Sequence, residues 1–225
     1  MIINAIVTDI EGTTTDIAFV KDVLFPYAFE QLPDYVRQHV TDPDVAAQLD
    51  ATRQEMGQPQ ADLEVVITQL LYWIDIDEKV TPLKTLQGML WSHGYKNGDF
   101  TAHLYADVAP ALHHWAAEGK ALYVYSSGSV QAQKLLFAHT PVGDLTPLFR
   151  GYFDTRMGHK RDADAYRNIA QVIALPAEQI LFLSDVAEEL DAARSAGWRT
   201  LQLVRPGTEP CAGHLTVQAF NEIAF

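Results

Sequence analysis

Apolar residues recur along the chain in two different rhythms. Ile2 to Val7 (IINAIV), Ala121 to Tyr125 (ALYVY), Ile180 to Leu183 (ILFL) and Thr200 to Val204 (TLQLV) are short and nearly continuous, and a weaker run falls at Tyr152 to Asp154. Runs of this length suit strands buried on both faces of a parallel sheet. The segments between the later runs carry helix punctuation. Residues 108–118 stop at Gly119, 163–174 stop before Pro176, and 188–196 stop at Gly197, as helices closed by a left-handed glycine or a proline do. Strand alternating with helix predicts an α/β doubly wound core with a parallel sheet.

One interval breaks the alternation. About 110 residues separate Asp9 from Ala121, whereas a parallel crossover needs only a dozen or more. Inside it Leu63, Val66, Ile67, Leu70, Leu71 and Ile74 recur at helical spacing and form one apolar stripe. Residues 20–39, 43–56 and 82–93 also read as helices, with Pro43 and Pro82 suited to first-turn positions. The expected organisation is a core of residues 1–15 and 104–225, with residues 16–103 inserted as a helical second domain. The tail from Pro206 predicts turns and one short apolar element.

Composition narrows the function classes. At 225 residues the chain can bury roughly 70% of its unfolded surface. Its 48% hydrophobic and 20% charged residues are ordinary globular values. The net charge of −13 argues against nucleic acid or an anionic membrane as partner, so any phosphate must be held by local groups or a metal. Cys211 is the only cysteine, which leaves no internal disulfide and no cysteine-based zinc site. With no basic leader and no long apolar span, a cytoplasmic protein is expected. A monomer is expected as well, although composition does not encode oligomeric state.

Ligands of open parallel sheets bind beyond the carboxyl ends of the strands, and polar residues stand at four such places. Asp9 and Glu11 follow the first strand, and Ser126, Ser127, Gly128 and Ser129 follow the second. Gly158, His159 and Lys160 lie past the third, and Ser184, Asp185, Glu188 and Glu189 follow the fourth. Singly, each has an ordinary explanation as a helix cap, an acidic first turn or a surface lysine. Together they supply phosphoryl transfer to an aspartate. Asp9 would be the nucleophile that forms an acyl phosphate. Asp9 and Asp185, with Glu11 beside them, would hold Mg²⁺, which relieves carboxylate repulsion and accepts phosphate oxygens. The serines and backbone amides around Gly128, and those of the Gly12-Thr13 turn, would face phosphate, and Lys160 would add charge to the transferring group. His159 reads as a loop histidine.

These four segments resemble the motifs of the haloacid dehalogenase superfamily of aspartate-nucleophile phosphatases, and the insertion falls where that family places its cap. More narrowly, DIEGTTTDIAFVKDVLFPYA, YSSGSVQAQKLLF, FDTRMGHK and ILFLSDVAEELDAA resemble the bifunctional enolase-phosphatases of methionine salvage. The resemblance implies Mg²⁺-dependent enolisation and then dephosphorylation of 2,3-diketo-5-methylthiopentyl 1-phosphate. It implies metal binding by Asp9, Glu11 and Asp185, and substrate contacts from Ser126, Ser127, Gly128 and Lys160. Glu11 stands where the wider superfamily usually has Asp, so a part in enolisation or in shaping the metal site is expected of it. The enolisation base is open between Glu11, Glu189 and a cap residue. Cap aromatics such as Phe19, Phe25, Tyr72 and Trp73 would serve mainly as cap core. The alternatives are another capped phosphatase or phosphomutase of small metabolites and, outside enzymes, a receiver-like phospho-aspartate module, for which the insertion has no use.

Overall fold

The structure is a computed structural model and describes residues 2–225. It divides into two compact units, Met1–Ile17 with Thr101–Phe225, and Ala18–Phe100.

The first unit is built on a six-stranded parallel sheet. Its strands are β1 (Ala5–Thr8), β2 (Ala121–Tyr125), β3 (Phe149–Phe153), β4 (Ile180–Ser184), β5 (Arg199–Leu203) and β6 (Leu215–Val217), in the order β3-β2-β1-β4-β5-β6. Every residue of β1 and β4 is buried, which explains why each is apolar up to the polar residue that ends it, Thr8 or Ser184. The strand order reverses direction at β1, so the crevice past the carboxyl ends of β2, β1 and β4 is the sheet's natural binding place. On one face Val7, Phe182, Tyr166, Ile169, Leu190 and Trp198 pack as a single core.

Two strand expectations change. The third strand begins at Phe149 rather than Tyr152 and ends before Asp154. The first begins at Ala5 rather than Ile2, because Ile2 is 70% exposed. The crossover helices are α6 (Val108–Ala117), α7 (Val130–Ala138), α8 (Ala163–Ile173) and α9 (Ala187–Ser195).

The second unit is helical. The short turn α1 (Ile17–Phe19) runs through a π-helical turn at Val20–Leu24 into α2 (Phe25–Gln38), and α3 (Pro43–Glu55), α4 (Leu63–Asp75) and α5 (Thr81–Asn97) follow. Pro43 and Pro82 sit in first turns, where the missing N–H has no intrahelical partner to lose. The core of the unit comprises Leu32, Val36, Leu49, Val66, Leu70, Trp73, Leu83 and Leu86. Trp73 is therefore core, whereas Tyr72 is 55% exposed. Among the described residues no helix is long and apolar enough to cross a membrane.

Candidate active site

Asp9 is the first residue past β1 and only 3% exposed. Its N–H donates to Leu183 O at 2.9 Å, so the β1–β4 ladder runs one step beyond the strand and sets where the carboxylate starts. Two residues on, Glu11 leans towards β2. Ser126 Oγ donates to Glu11 Oε2 at 3.2 Å, and the Gly128 N–H donates to Ser126 Oγ at 3.0 Å.

On the other side, the Asp185 N–H donates to Thr13 Oγ1 at 3.0 Å, and Thr13 Oγ1 donates to Asp185 Oδ1 at 3.3 Å. Between them stands Gly12 at φ +75°, where a Cβ would lie 2.3 Å from Asp185 Oδ2. Both its backbone angle and its lack of a side chain are therefore required. The turn is closed by three amides, since the Thr13, Thr14 and Thr15 N–H groups all donate to Ile10 O at 3.1, 2.9 and 3.0 Å. This corrects the expectation for the Gly12-Thr13 turn: the threonine amides serve the loop itself rather than an anion.

Lys160 arrives from the loop beyond β3. Tyr166 Oη donates to Lys160 O at 2.7 Å, and the side chain is 5% exposed, with Nζ 2.6 Å from Asp9 Oδ1 and 2.7 Å from Glu189 Oε2. Burial opposes its charge, but Asp9 and Glu189 outweigh burial and raise its pKa, so it is a fixed ammonium. One ammonium thus shares a buried site with the carboxylates of Asp9, Glu11, Asp185 and Glu189. Burial, then repulsion from Asp9, pushes Asp185 up to about 6 and Glu189 up to about 7. The same two causes raise Glu11.

The structure separates residues that the sequence left together. Glu189 is buried and also accepts from Ser184 Oγ at 3.0 Å, whereas Glu188 is exposed. Ser126 is fully buried and committed to Glu11; Ser127 is exposed on the same loop. Ser129 caps α7 by accepting the Ala132 N–H at 3.2 Å. His159 is exposed and accepts the Arg161 N–H at 3.2 Å. Sequence reasoning passed over Gln133, whose buried Nε2 donates to Gly128 O and Phe153 O, both at 2.8 Å, and so ties the serine loop to the end of β3. A glutamine on a helix carries no sequence mark of such a role.

Hard carboxylate oxygens with an excess of negative charge are a donor set for a small divalent cation. Among the described residues no three His, Cys, Asp or Glu side chains stand as a finished cation cage. Mg²⁺ does not need one, because it commonly takes one or two carboxylates, waters and substrate phosphate. The residues present fit such an ion.

A doubly wound parallel sheet with a buried aspartate, a lysine and further acids past its central strands defines a class of hydrolase. The family model described as haloacid dehalogenase-like hydrolase matches residues 3–197. Enolase-phosphatase E1 of Pectobacterium carotovorum is 58% identical over 221 residues, covering 98% of this chain and 96% of that one. Enolase-phosphatase E1 of Pseudomonas aeruginosa is 57% identical over 223 residues, covering 99% of each. Among solved structures, the UTR4 protein of Saccharomyces cerevisiae aligns with a TM-score of 0.85 at 35% identity, covering 98% of this chain and 100% of that one. The chain belongs to the enolase-phosphatase family of the haloacid dehalogenase-like hydrolases.

Proposed function

We propose that the chain enolises 2,3-diketo-5-methylthiopentyl 1-phosphate and then removes its phosphate, releasing the acireductone 1,2-dihydroxy-3-keto-5-methylthiopentene in methionine salvage. The observation that carries this reading is Asp9 held against Lys160 amid further buried acids, in a chain similar to enolase-phosphatases along 98% of its length.

In the phosphatase half, an Asp9 carboxylate oxygen attacks phosphorus, the P–O bond to the enol oxygen breaks, and water then cleaves the acyl phosphate. Lys160 orients Asp9 and compensates charge on the transferring group. Asp9 and Asp185, with Glu11 beside them, would hold Mg²⁺, which when bound lets the phosphate and carboxylate anions approach each other. Ser127 and Gly128 are the residues of the serine loop assigned to the phosphate, together with Ser126 once its hydroxyl leaves Glu11.

In the enolase half a base takes the proton from the carbon beside the carbonyl. Glu11 is assigned this role. Its carboxylate accepts from Ser126 Oγ, and burial, then Asp9, raises its proton affinity. Glu189 is less suited, being held by both Lys160 and Ser184. The helical unit follows the acid loop directly in sequence, which supports its role as the cap.

The test follows ultraviolet absorbance of the enol and inorganic phosphate together, with and without Mg²⁺. Asp9→Asn is expected to form enol without releasing phosphate, and Glu11→Ala to lose enol formation. Near-wild-type phosphate release by Asp9→Asn, or full enolisation and release by Glu11→Ala, overturns the corresponding assignment. Phosphate release from the diketo substrate with no enol stage would point to another phosphatase of small metabolites.

A further inference from the structure

Arg205 lies past β5, outside the four motifs, and is 5% exposed. Its Nη1 and Nη2 donate to Asp107 Oδ1 and Oδ2 at 2.9 and 2.8 Å, and Nη1 also donates to Gln218 O at 3.0 Å. The Phe220 N–H reaches the same carboxylate, Asp107 Oδ2, at 2.7 Å. The Tyr105 ring lies over the guanidinium, 4.2 Å from Cζ. A clasp of the C-terminal tail needs only these contacts. The remaining one is different, because Arg205 Nε donates to Thr13 O at 3.0 Å, and Thr13 is the residue whose hydroxyl holds both the N–H and the carboxylate of Asp185.

We propose that Arg205 is a positioning residue for the metal site: by gripping the Thr13 carbonyl it sets the Thr13 hydroxyl, and through it the Asp185 carboxylate packed on Gly12. The inference rests on the reading of Asp185 as a Mg²⁺ ligand. With its fork closed on Asp107 and its face covered by Tyr105, the guanidinium acts on the site only through Thr13. A planar fork suits the task where an ammonium does not, because it grips a carboxylate and two carbonyls at fixed angles. It also links the site to the tail, so residues 218–220 help to hold a loop far from them in sequence.

The experiment titrates the full-length protein with Mg²⁺ alone in a calorimeter and records thermal melting of each variant alongside. Arg205→Gln is expected to bind Mg²⁺ about tenfold more weakly or worse, as loss of a group that orients a metal ligand does, and Arg205→Lys to recover part of the loss. Thr13→Val, which keeps the carbonyl and removes the hydroxyl, is expected to weaken binding to a similar degree. Because the two act in series, the double variant should bind no worse than the weaker single variant, whereas independent effects would multiply. A folded Arg205→Gln with a lowered melting temperature and wild-type Mg²⁺ affinity makes Arg205 a tail clasp only and overturns the proposal. If Arg205→Gln does not fold, Thr13→Val decides, because wild-type affinity there leaves Arg205 no route to the site. Asp185→Asn separates the layers. If it binds Mg²⁺ normally, the reading of Asp185 as a ligand falls; if it alone loses Mg²⁺, only the role of Arg205 falls.

Discussion

Alanine at position 12 tests the packing of the acid loop on Asp185. The residue must keep φ +75°, which costs an L-residue about 1–2 kcal/mol. Its Cβ would also stand 2.3 Å from Asp185 Oδ2, 2.6 Å from Cγ and 2.9 Å from Oδ1. All three atoms are too near, so spinning the carboxylate about its own bond gives no escape. Carbon contacts become favourable at about 3.5 Å, and the carboxylate must retreat by about 1 Å, stretching its bond from Thr13. A misplacement of that size costs roughly 100-fold in rate. Gly119 supplies the control, since it has φ +82° and nothing within 4 Å of an added Cβ. Gly119→Ala therefore pays the backbone strain without the clash. Gly119→Ala should melt lower by a few degrees, since about 1 kcal/mol moves Tm by about 2–4 °C in a chain of this size, and Gly12→Ala by at least as much, because the displaced carboxylate adds to the strain. Only Gly12→Ala should lose about 100-fold in phosphate release. Near-wild-type turnover in Gly12→Ala, or an equal loss in Gly119→Ala, would refute the steric reasoning.

Lys160→Met leaves Asp9 and Glu189 buried without their cation, so phosphate release should vanish and stability fall by about 3–5 kcal/mol; a denaturant midpoint equal to wild type counts against this. For Asp107, burial works against ionisation, but the Arg205 fork and the Phe220 N–H outweigh it and lower the pKa in the folded state. The unfolded chain then binds the proton more readily, so the contribution is complete above the unfolded value near pH 3.9 and is lost as pH falls through the lower folded value. Asp107→Asn should thus be less stable than wild type by about 3 kcal/mol at pH 7, with the gap narrowing below about pH 4; a constant gap down to pH 3 contradicts the sign. Ser129→Ala should cost about 1 kcal/mol as a lost helix cap and leave both reactions intact. Ser126→Ala, which frees Glu11, should slow enol formation more than phosphate release from preformed enol, and equal slowing of the two would argue otherwise.

The strand signal in the sequence is strongest where the fold buries both faces. β1, β2 and β4 lie inside the sheet and are apolar but for the terminal Thr8 and Ser184, so their runs are nearly continuous. β3 and β6 lie at the two edges; Arg150 and Leu215 are exposed, and the apolar signal fades there. In the helical unit α4 was legible from its stripe and α2 lies within the residues 20–39 read as helix, whereas the π-helical turn that leads into α2 is not revealed by periodicity. Asp9, Lys160 and Asp185 were legible because strand ends mark them. Arg205, Gln133 and the role of the Thr13 hydroxyl were not, because a polar residue that grips backbone looks in sequence like any polar residue. Glu189 could not be told from Glu188, since neighbouring residues on a helix point about 100° apart and only packing sets the phase.

The type of acid at position 11 follows from the same geometry. Glu11 reaches across from β1 to the Ser126 hydroxyl on the neighbouring strand's loop, 3.2 Å away. An aspartate carboxylate would stop short by one C–C bond, about 1.5 Å, beyond hydrogen-bonding range. The serine would then face the acid cluster with its hydroxyl unclaimed, as suits a residue that serves phosphate alone. With glutamate in place, the hydroxyl fixes a second carboxylate beside the nucleophile, and burial together with Asp9 raises the proton affinity of that carboxylate. In a simple phosphatase such a group serves only the proton traffic of phosphoryl transfer, to the leaving oxygen and from the attacking water. An enzyme that must first take a proton from carbon needs a base that is anchored, desolvated and distinct from the nucleophile. On the proposed assignment of Glu11 as that base, one added methylene brings the carboxylate to its Ser126 anchor.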